Sequence, residues 1–204
     1  MYKFPVIVFE GIETSGKSTS LKIVSNYLRK INRKFIQIRE PGGTANSEIF
    51  RKFILSKKSK LNYKTDLFLI LASRSENIDK TLKKNYRKKI IIIDRFIDST
   101  KAYQHYGMGI NINLINKLNK FVLGNFKTTF TFLSIVNKRN MKIRLNKRSS
   151  LNKYDKFKLE FYNKVQKGFL KISKGSKYTI IDSNDPLAYN KKKVLNKISK
   201  TIKL

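Results

Sequence analysis

The sequence predicts an α/β protein in which helices wrap a parallel sheet. Five short runs rich in Ile, Val, Phe and Thr are typical of strands, at 6–10, 35–39, 90–94, 129–135 and 178–182. Their hydrophobicity is nearly continuous, as expected of strands that are covered on both faces. Segments with helical spacing separate them, and this alternation favours a parallel sheet. In such folds the ligand binds beyond the carboxyl ends of the strands.

The first strand is followed by a glycine-rich segment that fits a phosphate-binding loop. Residues 11–18 read GIETSGKS, which matches G-x-x-x-x-G-K-[ST]. Gly11 and Gly16 permit a loop whose backbone N–H groups point at anionic oxygens. Lys17 can reach terminal phosphates, and the Ser18 hydroxyl can bind Mg²⁺. With a strand before it and a helix after it, the segment favours nucleotide binding over an ordinary glycine turn.

Helical spacing appears in three of the segments between strands. One stripe follows the phosphate loop, a second precedes the third strand, and a third precedes the fifth strand. Their apolar members are Leu21, Val24, Leu28 and Ile31, then Leu67, Leu71 and Ile78, then Phe157, Phe161, Val165 and Phe169.

Charged side chains follow the second and third strands. The turn at 39–44 reads REPGGT, and Arg51 lies on the helix after it. Asp94 and Arg95 end the apolar run 90–93, so a carboxylate and a guanidinium reach the ligand edge of the sheet. Such an Asp can hold a Mg²⁺-bound water, and Arg has the geometry that suits a phosphate. Taken alone, the two residues are also compatible with a structural ion pair.

Composition bounds the class of protein. The 204 residues, 40% of them hydrophobic, fit a single globular domain over 1–204. The absence of cysteine excludes disulfides and thiolate metal sites. No apolar run approaches the roughly 18 residues of a membrane span, which favours a cytoplasmic protein without membrane partners.

The charge is strongly basic. Lys and Arg number 46 against 13 Asp and Glu, a formal charge of +33. Such a balance attracts polyanions in general. The basic residues are spread along the whole chain, which favours a solvated basic surface over specific nucleic-acid binding.

Several motifs in order resemble those of bacterial thymidylate kinases, from residue 6 to about residue 185. They are FEGIE at 9–13 leading into GKS at 16–18, REPGGT at 39–44, and DRFIDS at 94–99 ending in AYQ at 102–104. The resemblance implies a three-layer α/β/α P-loop NTPase fold with a five-stranded parallel sheet. It also implies phosphorylation of dTMP to dTDP by ATP with Mg²⁺, in dTTP biosynthesis, and a homodimer.

The same resemblance assigns roles to individual residues. ATP would be bound by Gly11, Ile12, Glu13, Thr14, Ser15, Gly16, Lys17, Ser18, Thr19 and Arg144. Mg²⁺ would be bound by Ser18 and Asp94. Glu13 would accept a hydrogen bond from the 3′-hydroxyl of dTMP, while Arg51 and Arg95 would bind its 5′-phosphate. Arg74 would contact thymine O4, Thr100 and Gln104 the base edge, and Tyr103 the deoxyribose, where it would disfavour ribonucleotides. The catalytic residues would be Lys17, Glu13, Arg95, Arg148 and Lys153.

A basic segment at about 141–155 resembles the mobile lid of the family. Arg144 and Arg148 fit its R-x-x-x-R pattern, and NKYD at 152–155 resembles Asp-Arg-aromatic-Glu, with Lys153 where arginine is usual. Because Thr14 supplies no arginine from the loop, we expect Arg148 or Lys153 to engage ATP. Without the resemblance, a solvated basic helix is also compatible with this stretch.

The chain departs from the family pattern at two positions. Ile70 stands where the family usually has a phenylalanine stacked on thymine, and Phe68 would face another side of the helix. In the fourth strand, Leu133-Ser134 replaces the common Leu-Asp, so a supporting carboxylate is missing.

Two alternative functions remain open from the sequence. One is another nucleoside monophosphate kinase or a deoxynucleoside kinase, for which the acceptor contacts of Arg51, Arg74 and Arg95 would discriminate. The other is a basic nucleic-acid-binding protein that has kept the fold without turnover. The presence of Lys17 and Asp94 favours an enzyme.

Overall fold

The computed structural model describes residues 2–148 and 152–202 and contains a parallel sheet between helices. Its strands are β1 (Val6–Gly11), β2 (Phe35–Arg39), β3 (Ile90–Asp94), β4 (Phe130–Ile135) and β5 (Tyr178–Asp182). They lie in the order β2-β3-β1-β4-β5, and each neighbouring pair is parallel. The predicted α/β fold with five parallel strands is therefore confirmed. Two predicted strand ends differ, because β1 ends one residue later and β4 begins one residue later.

Helices connect the strands. They are α1 (Lys17–Lys30), α2 (Ala45–Leu55), α3 (Tyr63–Asn77), α4 (Lys83–Asn85), α5 (Ile97–Thr100), α6 (Ile112–Leu123), α7 (Lys138–Asn146), α8 (Leu159–Ile172) and α9 (Leu187–Thr201). Wider π-helical turns continue α3 over Ile78–Leu82 and α5 over Lys101–Gly107. The predicted third stripe begins too early, because α8 starts at Leu159 and Phe157 precedes it.

The sheet is buried on both faces, which explains the unbroken hydrophobicity of its strands. On one face the side chains of Ile7 and Phe9 pack with Leu21, Val24 and Leu28 of α1 and with residues of α9. On the other face Val6, Val8, Ile91 and Ile93 pack with Ile78, Leu82 and Phe96. Alternate residues of one strand therefore contribute to separate cores, as a period of two requires.

The register brings the functional segments to one edge of the sheet. Asp94 at the end of β3 pairs with Phe9 of β1 and with Arg39 of β2, and Gly11 pairs with Ser134 of β4. The loops that leave these strands therefore start side by side. Within 2–148 and 152–202, no helix has both the length and the apolar character to cross a membrane.

Candidate active site

The phosphate loop adopts the strand–turn–helix context that its sequence predicts. Gly11 has φ 144°, and a Cβ there would lie 2.4 Å from the backbone oxygen of Ser134. Gly16 has φ 82° and precedes the first residue of α1. Both positions thus require glycine, one because of a close approach to β4 and both because of backbone conformation. We call residues 11–18 the P-loop below.

A cavity of about 890 Å³ lies at the carboxyl edge of the sheet. The predicted site residues line it, apart from Gly11 and Lys153. The lining residues among them are Ile12, Glu13, Thr14, Ser15, Gly16, Lys17, Ser18, Thr19, Arg51, Ile70, Arg74, Asp94, Arg95, Thr100, Tyr103, Gln104, Arg144 and Arg148. Residues from widely separated segments thus meet in one space, as their positions at strand ends predict.

The floor of the cavity carries an ion pair. Nζ of Lys17 lies 2.8 Å from Oδ1 of Asp94. Burial lowers the pKa of Lys17, and the nearby Arg95 guanidinium lowers it further. The pair joins the start of α1 to the end of β3.

Ser18 and Asp94 offer oxygen ligands in the same cavity. Among the described residues, no cluster of three or more His, Cys, Asp or Glu side chains is arranged to hold a metal. Mg²⁺ fits such a donor set, because it is commonly bound by one or two carboxylates together with substrate phosphates and water.

Arg95 lies against the P-loop. Its backbone is left-handed, with φ 66°. Nη1 donates to the backbone oxygen of Gly11 at 2.8 Å, and Nη2 donates to Oε1 of Glu13 at 2.9 Å. The hydroxyl of Tyr103 donates to the other oxygen of Glu13. The guanidinium carbon lies 5.3 Å from the centre of the Tyr103 ring. Arg95, Glu13 and Tyr103 therefore form one connected cluster.

Arg51 reaches the same cavity from α2. Its Nη1 donates to the backbone oxygen of Pro41 at 2.6 Å. Burial lowers its pKa, and the charge of Arg39 lowers it further. A half-buried guanidinium with a neutral hydrogen-bond partner keeps its charge available for an anionic ligand.

Arg74 is almost fully buried, with 1% of its surface exposed. Nε donates to Oε2 of Glu40 at 2.7 Å, and Nη1 donates to Oδ1 of Asn119 at 2.5 Å. Its guanidinium lies over the ring of Phe96, 5.1 Å from the centre. These contacts fix the side chain before any ligand contact is made. The third guanidinium nitrogen of Arg74, Nη2, donates no hydrogen bond to any of the described residues.

The far end of the cavity combines apolar and polar side chains. Ile70 lines it, whereas Phe68 is 59% exposed on another side of α3, as its position in the helix predicts. The hydroxyl of Thr100 is buried and has no protein partner within the described ranges. Gln104 is 1% exposed, and its amide nitrogen contacts Sδ of Met108 at 3.9 Å. This part of the lining therefore offers both apolar contact and polar groups to a ligand.

Arg144 and Arg148 of the predicted lid segment have different hydrogen-bond partners. Nη1 of Arg144 donates to the backbone oxygen of Thr14 at 3.0 Å, and the same guanidinium binds both oxygens of Ser183 at 2.8 Å. Nη1 of Arg148 lies 2.5 Å from Oδ1 of Asp155 and also lines the cavity. Residues 149–151 of this segment lie outside the described residues.

Lys153 lies away from the cavity lining. Its Nζ donates to both carboxylate oxygens of Asp66, at 2.8 and 2.7 Å. Its backbone N–H donates to the backbone oxygen of Leu55 at 3.0 Å. The structure therefore joins Lys153 to α2 and α3 and does not bring it together with the P-loop.

Sequence reasoning missed one part of the cavity, the loop after β5 and the start of α9. The residues concerned are Ser183, Asn184, Asp185, Leu187 and Asn190. The signal was available, because β5 ends at Asp182 and ligands bind beyond the carboxyl ends of parallel strands.

The strand order, the P-loop between β1 and α1, and cations around the same cavity define a P-loop NTPase fold of the phosphotransferase class. The family model described as thymidylate kinase matches residues 9–194. The chain therefore belongs to the thymidylate kinase family, and the resemblance seen in its motifs is confirmed.

Relatives and a solved structure agree with this assignment. The thymidylate kinase of Wolbachia sp. subsp. Brugia malayi is 38% identical over 170 residues, covering 82% of this chain and 80% of its own. That of Mycoplasma capricolum is 34% identical over 207 residues, covering 97% of each chain. The crystal structure of thymidylate kinase from Ehrlichia chaffeensis superimposes with a TM-score of 0.78 at 32% identity, covering 97% of this chain and 99% of that one.

Proposed function

We propose that this protein transfers the γ-phosphoryl group of ATP to dTMP, giving ADP and dTDP, by in-line displacement with Mg²⁺. One observation carries the proposal: Lys17 of the P-loop and the guanidiniums of Arg51 and Arg95 line a single cavity. A polyphosphate and a monophosphate can therefore meet between them. Membership of the thymidylate kinase family supports the choice of donor and acceptor.

The acceptor phosphate binds between Arg51 and Arg95. Two guanidiniums neutralise the charge that otherwise repels the incoming phosphoryl group. Arg95 is held to Gly11 and Glu13 before the acceptor arrives, so little reorganisation is required. Glu13 also retains lone pairs for the 3′-hydroxyl, because each of its oxygens accepts a single side-chain bond in the structure.

The donor binds at the P-loop. Its backbone N–H groups and the amino end of α1 bind phosphate oxygens, and Lys17 moves from Asp94 to the phosphates. Ser18 and Asp94 would hold Mg²⁺, which would supply positive charge to the phosphates of the donor. Arg148 closes over the transferred group, since it lies at the cavity while Lys153 is bound to Asp66.

The base and sugar bind at the far end. Thymine lies against Ile70, with Arg74, Thr100 and Gln104 at its polar edge. Tyr103, fixed by its bond to Glu13, packs against the sugar where a 2′-hydroxyl would lie. Steric exclusion of that hydroxyl favours deoxyribonucleotides.

A coupled assay of ADP release tests the proposal. Purified protein is supplied with ATP and Mg²⁺ and with dTMP, dUMP, CMP, UMP, GMP, AMP or thymidine as acceptor. We expect dTMP to give the highest kcat/KM and EDTA to abolish turnover. Preference for another monophosphate or for thymidine would identify a different kinase. Absence of turnover with every acceptor, together with salt-sensitive binding of nucleic acid, would favour the non-enzymatic alternative.

We also propose a homodimer. Large apolar side chains are exposed on α2, α3 and α6, which pack in sequence against one another. They are Ile49, Phe53, Phe68, Leu114 and Phe121. Burial of such side chains between two copies would remove apolar surface from water. Light scattering after size exclusion tests this, with Phe121→Glu expected to shift the protein toward monomer.

A further inference from the structure

The residue before the P-loop is a buried carboxylate that none of the proposed steps uses. Glu10 ends the apolar part of β1 and has 1% of its surface exposed. An acidic side chain at a core position is costly unless its oxygens are hydrogen-bonded. The identity of its donors therefore indicates why a carboxylate occurs here.

The donors to Glu10 all come from the turn that follows Arg95. Oε1 accepts from the backbone N–H of Phe96 at 2.8 Å and from that of Ser99 at 3.1 Å. Oε2 accepts from the hydroxyl of Ser99 at 2.5 Å. One carboxylate thus holds both ends of a four-residue turn.

Arg95 has a backbone conformation that needs such support. Its φ of 66° is unfavourable for a residue with a side chain and persists only where neighbouring contacts impose it. On one side, the N–H of Arg95 donates to the backbone oxygen of Phe9 at 2.9 Å. On the other side, the N–H of the next residue, Phe96, donates to Oε1 of Glu10. Two consecutive residues of β1 therefore fix the two amides that flank the Arg95 backbone.

The orientation of the Arg95 side chain depends on that backbone. Its guanidinium binds the oxygen of Gly11, the residue that follows Glu10. We propose that Glu10 is a positioning residue for the acceptor phosphate site, because its carboxylate fixes the turn after Arg95 and thereby holds the Arg95 guanidinium against the P-loop. The inference rests on the proposed function, in which Arg95 binds the 5′-phosphate of dTMP.

This role makes a prediction that a general contribution to folding does not make. Arg95 binds the acceptor phosphate directly and reaches the sugar only through Glu13 and Tyr103, so misplacement of Arg95 should weaken binding of dTMP much more than binding of thymidine. ATP binds through other P-loop groups and should also be spared. Misplacement of Arg95 should therefore act mainly on the binding of the acceptor's 5′-phosphate.

The experiment compares Glu10→Ala with Glu10→Gln. Alanine removes every acceptor, whereas glutamine retains one oxygen for the amides of Phe96 and Ser99. We expect Glu10→Ala to raise KM for dTMP at least tenfold and to lower kcat, with KM for ATP within twofold of wild type. Glu10→Gln should restore most of the loss. Calorimetry should show a much larger loss of dTMP binding than of thymidine binding in Glu10→Ala.

Two further variants complete the design. Ser99→Ala keeps the carboxylate and removes one of its donors, together with a hydroxyl that lies 3.4 Å from Nη1 of Arg95. It should raise KM for dTMP by a smaller factor in the same direction, even if Glu10→Ala does not fold. Ser25→Ala is the matched control, because its buried hydroxyl binds Gln37 and does not contact the 95–99 turn. It should leave both KM values unchanged.

Failure of the inference and failure of the proposed function are distinguishable. If wild-type protein phosphorylates no nucleotide, the proposed function is wrong. If the wild type is active but Ser99→Ala and any folded Glu10 variant weaken dTMP, thymidine and ATP equally, or none of them, then Glu10 does not position Arg95.

Discussion

Nζ of Lys17 lies 2.8 Å from Oδ1 of Asp94, so the P-loop lysine and the carboxylate at the end of β3 form an ion pair on the cavity floor. The pair is partly buried, with 10% and 25% of the two side chains exposed. Each charge therefore compensates the other in a poorly hydrated place. Phosphates entering this site would offer Lys17 a second anionic partner and would leave Asp94 free for a cation.

Loss of the Lys17 ammonium should abolish turnover. In Lys17→Ala we expect kcat to fall by about a thousandfold or more, because the cation stabilises charge on the transferred phosphoryl group. ADP release at saturating dTMP measures this. Lys22→Ala, in which an exposed lysine of the same helix is removed, is the control and should keep full activity. Appreciable turnover by a folded Lys17→Ala variant would contradict the proposed donor site.

Loss of the Arg95 guanidinium should weaken dTMP much more than thymidine. A charge-assisted hydrogen bond to a phosphate contributes about 2 kcal/mol, so we expect dTMP affinity to fall about thirtyfold in Arg95→Ala. Thymidine has no phosphate, and its inhibition constant should change little. Calorimetric titration of both ligands provides the measurement. Equal losses for the two ligands would remove Arg95 from the phosphate site.

The base end gives a paired prediction on α3. Ile70 lines the cavity while Phe68 is 59% exposed to solvent. Ile70→Ala should raise KM for dTMP about fivefold, through loss of about 1 kcal/mol of apolar contact. Phe68→Ala should leave KM unchanged, since its ring does not line the site. The opposite ranking in steady-state assays would mean that thymine binds elsewhere.

The fold was predictable because its signals are local. Each strand of a parallel sheet that is buried on both faces is an unbroken apolar run. The P-loop motif predicts a strand before it and a helix after it. Phe157 was predicted to lie on the helix before β5, but it precedes α8. Its ring packs on the same core as that helix, so the helical spacing of apolar residues continues into the turn before the helix.

The candidate site was only partly predictable. Asp94 and Arg95 follow from the end of β3 and from phosphate chemistry, and Arg51, on α2, follows from the family resemblance. The partners of Glu10 and Lys153 do not, because each joins segments more than 80 residues apart. Such contacts depend on how helices pack over the sheet, and a motif read along the chain does not contain that information.

Stability should depend on pH through Glu10. Burial raises the pKa of this carboxyl from its ordinary 4.5 to about 7, and the nearby Asp98 charge acts in the same direction. Between these two values the folded protein binds the proton more strongly than the unfolded chain does. The free energy of unfolding should therefore fall as pH rises from about 4.5 to 7, and the contribution of the proton should be lost above 7.

Urea unfolding of the wild type and Glu10→Gln across this range measures the effect. The amide does not titrate, so the variant should lose the part of the pH slope that Glu10 contributes. Carboxyls that do not interact with Glu10 contribute equally in both proteins and cancel in the difference, which therefore reports Glu10 together with its neighbour Asp98. If the unfolding free energy of the two proteins changes with pH in parallel, Glu10 is not the source of the pH dependence.

Arg148 and Lys153, the two lid residues expected to engage ATP, should differ in their effect on kcat. Arg148 lies at the cavity with 35% of its side chain exposed, whereas the Asp155 side chain has no exposed surface and also accepts from the backbone N–H of Asn152 at 2.8 Å. Arg148→Ala should lower kcat by about a hundredfold, since it removes a cation from the transition state. It should also lower the unfolding free energy, because the buried Asp155 keeps the Asn152 amide but loses its guanidinium. Lys142→Ala, which removes an exposed lysine of α7, is the control.

Lys153→Ala should lower stability and leave kcat close to that of the wild type. Lys153 is the partner of Asp66, whose side chain has no exposed surface, so its removal leaves a buried carboxylate unpaired. We expect a loss of about 3 kcal/mol in unfolding free energy, measured by urea titration. Asp66→Asn tests the cause, because Lys153→Ala should cost much less in that background. If Lys153→Ala instead lowers kcat a hundredfold with no loss of stability, the lysine leaves Asp66 during turnover and engages ATP, and the division between the two lid cations is wrong.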